Sequence, residues 1–474
     1  MGKIIIKCFQ TPKRKYFYDR FLDSVVAVTD DEYEVLKKVE KSGLLPMDDS
    51  LKRFEDNGLL QETILEKIEH PETSGLRYLS EHYMENLILQ VTQQCNLRCN
   101  YCAYSGNYYN RTHTSERMSF ETAKSAIDFY LDRSDKADKL CLSFYGGEPL
   151  LEFELIKRCA DYITEHKGDQ VVTYSITTNG TLLDQEKIEF LVKHDVTLMI
   201  SLDGAKESYD ANRKFLSGQG SFDVIMKNLT LLKEFDEKYY FDQVSFNCVI
   251  STTTDLNKTY EFYANSELFP PEQIHYTYIN PVDIKDRSIL KITERNNQIA
   301  KFEYIKMLLS LLGKRKWDSR GKMQRARASD IELLYERLHR HTQEGVATHH
   351  GGPCVPGVRR LFVETNGDFF PCERVSEQDE QMCIGSLIKG FDYDRMDFFL
   401  NHGKLIKEEC LNCWNIRECS YCLSGIEKKN QELTKELLME KCRESKYRTE
   451  ELLHELCALV EMGYIGNENL KVIK

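Results

Sequence analysis

The chain lacks a long hydrophobic run. No stretch approaches the roughly 18 apolar residues that a membrane span requires. The opening "MGKIIIKCFQTPKRKY" carries only a three-residue apolar run before polar residues return, so no secretory signal is expected either. An excess of positive charge is also missing: 64 Lys and Arg stand against 76 Asp and Glu, for a formal net charge of −12. That balance argues against a general nucleic-acid scaffold, although a local basic groove is compatible with it. Repeats and low-complexity tracts are absent. The expectation is a cytoplasmic protein with no nucleic-acid and no membrane partner.

What is present is length and cysteine. The 474 residues, 41% hydrophobic and 30% charged, suffice for two or three domains with cores of their own. Sixteen cysteines are many for a cytosolic chain. A reducing compartment disfavours a disulfide framework, so metal binding is the better reading. Three cysteines lie in "CNLRCNYC" at 95–102, and most of the others crowd into 354–442.

The chain reads as successive regions. Residues 1–82 offer strands at "KIIIKCF" and "SVVAV", with a turn-rich "TPKRKYFYDRF" between them. A helix follows at "TDDEYEVLKKVEKSG", where Thr29 and Glu32 have capping-box spacing and Gly43 marks the stop. Residues 83–300 alternate strand and helix, with strand-like runs at "NLILQVT", "KLCLSFY", "VVTYSIT", "VTLMISL", "QVSFNCVI" and "QIHYTYIN". Such alternation predicts parallel strands with helical crossovers, and six units predict a partial barrel rather than a closed eight-fold one. The unusual sequences fall at strand ends, where such sheets place their ligand sites. Residues 301–352 read as a solvated helical connector containing the basic "GKRKWDSRGKMQRAR", and 353–474 as a cysteine-rich region that becomes helical.

Cys95, Cys99 and Cys102 sit on a loop leaving the first strand of the alternating region. Thiolates suit iron–sulfur clusters, and three of them leave one iron of a four-iron cluster open; a zinc site completed by a distant residue is the alternative on spacing alone. The pattern Cys-x3-Cys-x2-Cys, with the aromatic Tyr101 before the last cysteine, resembles the radical S-adenosylmethionine enzymes. The resemblance implies a [4Fe–4S] cluster whose open iron chelates S-adenosylmethionine, and reductive cleavage of that cofactor to a 5'-deoxyadenosyl radical. It extends to "GGEP" (Gly146, Gly147, Glu148, Pro149), expected beside the methionyl amine. It also covers Asn179 in "TTNGT", Ser201 and Asp203 in "ISLDG", and Arg213 in "YDANRKF". Ser201 is expected near the cofactor's ribose or methionyl part, and Arg213 against its carboxylate, a pairing that suits a guanidinium.

Further on, Cys354, Cys372, Cys410, Cys413, Cys419, Cys422 and Cys442 follow in an order that resembles the SPASM extension of peptide-modifying members. One departure is the two-residue gap between Cys419 and Cys422, where the family more often has three. The resemblance implies two auxiliary [4Fe–4S] clusters. One is held by Cys410, Cys413, Cys419 and Cys442. The other is held by Cys354, Cys372 and Cys422, and is either open to a substrate thiolate or completed by Cys383, which otherwise reads as a small packing residue. Glu373 stands where sulfatase-maturing relatives carry an acid proposed as a base. Cys8, Cys141, Cys159, Cys248 and Cys457 read as packing residues.

The implied fold is α/β: a partial (β/α)6 TIM-like radical SAM barrel between an N-terminal winged-helix-like peptide-recognition domain and a C-terminal SPASM domain. Such an N-terminal element would add the leader of a precursor peptide as an extra strand. The chain most resembles maturases that install thioether cross-links in cysteine-rich ribosomal peptides, fed by an external electron donor such as flavodoxin or ferredoxin. The alternatives are a maturase of the same architecture making carbon–carbon cross-links or formylglycine in a sulfatase, and, from another class, a non-catalytic zinc-bearing scaffold.

Overall fold

The computed structural model describes residues 2–47, 49–109, 111–317, 325–350, 354–428 and 432–465. Residues 318–324, the middle of the basic stretch noted above, lie outside them.

Six parallel strands form the centre: Asn86–Thr92, Lys139–Gly146, Val171–Thr178, Thr197–Ser201, Val244–Ile250 and Ile274–Tyr278. Each pairs with the next in sequence. Crossover helices include Phe120–Leu131, Phe153–His166, Gln185–Lys193, Phe222–Phe235 and Leu256–Ala264. Each presents one apolar face to the sheet, as with Ile156, Cys159, Ala160 and Ile163 on the second helix, all fully buried. The partial barrel is therefore as expected.

The barrel does not close. The free edge of its first strand is taken by Leu361–Val363, which pairs in parallel at Leu361↔Leu87 and Val363↔Leu89. From there the sheet runs on, antiparallel, through Asp368–Phe370, Gly385–Ser386 and Gly390–Phe391. Ten strands thus form one sheet. One core crosses the junction, with Leu361, Val363, Phe369 and Met396 packed among the barrel residues. This fixes the cysteine-rich region against the barrel edge beside the first cysteine loop.

At the N-terminus, Ile6–Gln10, Lys15–Asp19 and Ser24–Val28 form a three-stranded antiparallel sheet. The helix Asp30–Ser42 follows, with its capping box at Thr29 and Glu32, and Gly43 at φ 71° ends it. The middle strand replaces the turn expected from "TPKRKYFYDRF". Tyr16 and Tyr18 face one core and Phe17 another, so the strand is buried on both sides and shows no alternation of polarity. The connector also departs from its solvated reading. The helix Arg325–Leu338 buries Ile331, Leu334 and Tyr335 against the N-terminal sheet and the long helix Lys435–Glu461.

Arg20 ties these regions together. It is buried, pairs with Glu344 at 2.7 Å, and donates to the carbonyls of Leu411 (2.8 Å) and Cys413 (3.1 Å). Burial pulls its pKa down and the Glu344 carboxylate opposes that. The N-terminal sheet therefore holds the backbone of a cysteine loop some 390 residues away in sequence.

Candidate active site

The first cysteine loop leaves the barrel strand Asn86–Thr92 and is built by backbone contact. Gly147 N donates to Thr92 O (2.9 Å) and Glu148 N to Gln94 O (2.8 Å). A Cβ at Gly146 would stand 2.0 Å from Thr92 O, and one at Gly147 would stand 2.1 Å from Gln94 O. Two glycines are therefore required where the second strand end meets the root of the cysteine loop. The buried Glu148 carboxylate accepts from Thr178 Oγ1 (2.6 Å), Asn179 N (2.8 Å) and Leu150 N (3.1 Å). It thereby caps the turn that Pro149 opens and pins the end of the third strand. Burial pushes its pKa up, against those hydrogen bonds. Its two oxygens serve the protein's own chain, a role the sequence did not suggest.

Asn179 in turn braces the loop. Its Nδ2 reaches Cys95 Sγ at 3.8 Å and Asn96 Oδ1 at 2.8 Å. Leu97 N donates to Cys95 Sγ (3.3 Å), and Tyr104 N to Cys102 Sγ (3.4 Å). Burial pushes Cys95 and Cys99 up to about 12; the Glu148 carboxylate adds to this at Cys95, and Arg213 opposes it at Cys99. Such thiols become thiolates only with a cation or metal to stabilise them.

Asp203 proves central. Arg213 grips it with two bonds, Nε to Oδ2 at 2.8 Å and Nη2 to Oδ1 at 3.1 Å, and the Tyr101 hydroxyl donates to the same carboxylate. Arg213 also lies over the Tyr101 ring at 5.5 Å. The motif's aromatic is thus locked to the end of the fourth strand, where Ser201 also sits. Burial pulls the Arg213 pKa down, but Asp203 holds it well above the usual value. The guanidinium expected for a ligand carboxylate already carries a carboxylate partner.

Cys410, Cys413, Cys419 and Cys442 line one pocket, together with His350 and Tyr421. Ser445 Oγ donates to Cys419 Sγ at 3.4 Å. Burial, then the neighbouring Glu373, pushes Cys372 up to about 11, and Cys372 and Cys422 pack against the same apolar cluster. Cys354 is exposed, and Cys383 donates to Gly385 O at 3.3 Å. Glu373 pairs with Arg360 at 2.8 Å through one oxygen, and its other oxygen is buried with no hydrogen-bond partner. Cys8, Cys159, Cys248 and Cys457 are buried in apolar cores, as packing residues should be.

Several residues that link the two sites were not singled out from sequence. Arg111, on the loop after the first cysteines, pairs with Glu377 (2.6 Å) and donates to the carbonyl of Glu373 (2.9 Å) and to that of Val375. Glu377 also accepts from Tyr104 OH (2.7 Å) and Gln90 Nε2 (2.9 Å). Gln93 Nε2 donates to Glu364 at 3.1 Å. Between the sites lies a cleft. Ala103, Tyr108 and Arg111 form one wall, and Arg374, Leu423 and Ser424, neighbours of Cys372 and Cys422, form the other.

Comparison with known proteins decides the family. The family model described as the Radical SAM superfamily matches residues 89–251. An uncharacterized protein of Methanocaldococcus jannaschii is 31% identical over 218 residues, 46% of this chain and 70% of that one. The chain belongs to the radical SAM superfamily. The radical SAM cyclopropyl synthase TigE of Paramaledivibacter caminithermalis is 24% identical over 438 residues, 85% of this chain and 84% of its own. A cysteine-type anaerobic sulfatase-maturating enzyme of Clostridium perfringens is 25% identical over 348 residues, 70% of this chain and 86% of its own. Among solved structures, native anSMEcpe with bound AdoMet superposes with a TM-score of 0.55 at 22% identity, covering 79% of this chain and 99% of that one.

As a radical SAM enzyme, the protein uses a [4Fe–4S] cluster and S-adenosylmethionine, and its cysteine geometry fits iron–sulfur clusters. Around one zinc, with Zn–S near 2.3 Å, sulfurs stand about 3.8 Å apart. Among the described residues, no three cysteine sulfurs lie within 4.8 Å of one another. The quartet instead gathers around one shared pocket, and four thiolates are the ligand set of a four-iron cluster. Among the described residues, no helix is long and apolar enough to cross a membrane.

Proposed function

We propose that this radical SAM enzyme is a cytoplasmic maturase that ties a cysteine sulfur to a carbon within a ribosomally made precursor peptide. The supporting observation is the cleft between the loop of Cys95, Cys99 and Cys102 and the segments carrying Cys372 and Cys422. A peptide lying there would present a C–H bond to one site and a thiol to the other. When bound, the cluster and S-adenosylmethionine supply one-electron chemistry and removal of a hydrogen atom. The chain's own residues position the reaction. Gly146, Gly147, Glu148 and Pro149 shape the floor, Asn179 and Ser201 border the cofactor's place, and Tyr101 and Arg213 wall it. Cys410, Cys413, Cys419 and Cys442 would hold one auxiliary cluster. Cys354, Cys372 and Cys422 would hold the other, with Cys383 or a substrate thiolate as its fourth ligand. Glu373, with one buried oxygen free of hydrogen bonds, would accept the thiol proton. An external donor such as flavodoxin or ferredoxin would supply the electron that cleaves S-adenosylmethionine, and the auxiliary clusters would take up the electron released when the C–S bond forms.

The N-terminal sheet supports a leader-bearing substrate. Its edge strand Ser24–Val28 pairs on one side only among the described residues, and "SVVAV" carries no charge or proline to guard that edge. An extended leader would add there. The test is anaerobic turnover of the genetically neighbouring precursor with S-adenosylmethionine and reductant. One C–H and one S–H bond are lost for each C–S bond formed, so product should be two hydrogens lighter per cross-link. Unchanged mass with every component present would reject the reading. A second reading, carbon–carbon bond formation, is favoured by the near full-length likeness to a cyclopropyl synthase.

A further inference from the structure

His349, His350 and His402 converge in the interior, 7%, 1% and 1% exposed. The first two follow the short strand Ala347–Thr348, which pairs with Lys67–Ile68; the third opens the turn His402–Ile406. Their ring centroids are 3.9, 4.3 and 5.5 Å apart, and one ring nitrogen of each lies within 4.8 Å of the other two. No sequence motif drew attention to them, and the chemistry proposed above does not use them.

Their hydrogen bonds resemble those of metal ligands. His402 Nδ1 donates to Phe399 O at 2.9 Å, and its Nε2 is buried without a partner. His349 Nδ1 donates to His350 O at 2.9 Å, and its Nε2 meets only Gly403 N–H at 3.3 Å. A backbone carbonyl on one ring nitrogen, with the other lone pair turned inward, is how ligating histidines are usually fixed. His350 has no hydrogen bond to either ring nitrogen; its ring stacks on Tyr421 at 4.4 Å. Each buried, unpaired nitrogen costs about 1–3 kcal/mol unless something accepts its lone pair.

We propose that His349, His350 and His402 form a three-imidazole site for one divalent transition-metal cation, zinc by preference, separate from the cysteine sites. Around zinc at about 2.1 Å the nitrogens stand about 3.4 Å apart, inside the 4.8 Å within which the three already lie. The ion would clip residues 347–350 to the 399–403 turn, behind the cavity that His350 shares with the cysteine quartet.

The test is zinc alone, added at one equivalent to the iron-loaded enzyme and followed by desalting, metal analysis and zinc-edge X-ray absorption. The expected result is about one zinc per chain, with a nitrogen shell near 2.1 Å and no sulfur. In His402→Ala, zinc should fall at least tenfold while iron is retained. A wild-type enzyme that keeps no zinc, a shell of sulfur near 2.3 Å, or a His402→Ala variant that still holds zinc would overturn the proposal. If the variant also loses iron, the wild-type absorption spectrum decides alone.

Discussion

The two cysteine regions are assembled by different means. Cys95, Cys99 and Cys102 occupy one eight-residue loop, and its shape comes from backbone contact with Gly146 and Gly147 and from the Asn179 side chain. The quartet of Cys410, Cys413, Cys419 and Cys442 spans the short helix Lys407–Leu411, the turn after it and the long helix Lys435–Glu461; Arg20 holds the Cys413 carbonyl and Ser445, on the long helix, reaches Cys419. A site confined to one loop can be lost through a single close contact. A site gathered from several segments depends on the packing of whole regions. Arg111 and Glu377 join the two, which couples the loop's position to the segment carrying Cys372 and Glu373.

The comparison can be broken most completely at the first loop. Cys95→Ala should abolish formation of 5'-deoxyadenosine and lower bound iron by about a third, if three cubanes are present. Iron analysis beside chromatography of the nucleoside checks both, and retained cleavage would separate this loop from the chemistry. Next is Arg20→Ala, which leaves Glu344 buried without its partner and frees the Leu411 and Cys413 carbonyls. The expected loss is about 3–5 kcal/mol of stability. In a urea series the quartet's iron should leave before that of the first loop; simultaneous loss would show that the two sites unfold together. Gly147→Ala should act the other way round. Its Cβ cannot coexist with Gln94 O, so the loop must shift at a cost of about 1–3 kcal/mol, with iron lost from the first site and kept by the second.

The smallest effect is expected at the seam. Burial, then Glu377 and Asp368, raise the Glu364 carboxyl from 4.5 to about 7, partly offset by Gln93. The folded chain therefore keeps a proton that the unfolded chain sheds, and stability falls as pH rises from about 4.5 through about 7. Glu364→Gln removes that slope. Denaturation of the two proteins at about pH 5 and about pH 8 should differ by on the order of 1 kcal/mol, with the variant gaining at the higher pH. Parallel pH profiles would place the titrating proton elsewhere.

The barrel was legible because its strands are apolar runs and its helices amphipathic, both of which sequence periodicity reports. The strand Lys15–Asp19 was not, because both faces of "KYFYD" are buried and no alternation survives. The cysteines could be found from spacing. The clasp of Tyr101, Asp203 and Arg213 could not, since its members meet across 102 positions and only the fold brings them together. The bonds by which the Glu148 oxygens tie the ends of two barrel strands were hidden for the same reason. The histidines at 349, 350 and 402 fit no spacing rule, because a turn and a two-residue strand converge on them.

The central claim is that the chain forms a carbon–sulfur bond in a peptide. Tandem mass spectrometry of the precursor after anaerobic turnover tests it most directly. The account predicts a fragment pair joined through a cysteine sulfur to a carbon of another residue, two hydrogens lighter and resistant to thiol reductants. A bond between two carbons with every cysteine thiol still alkylatable, or a formylglycine in place of a cysteine, would contradict it.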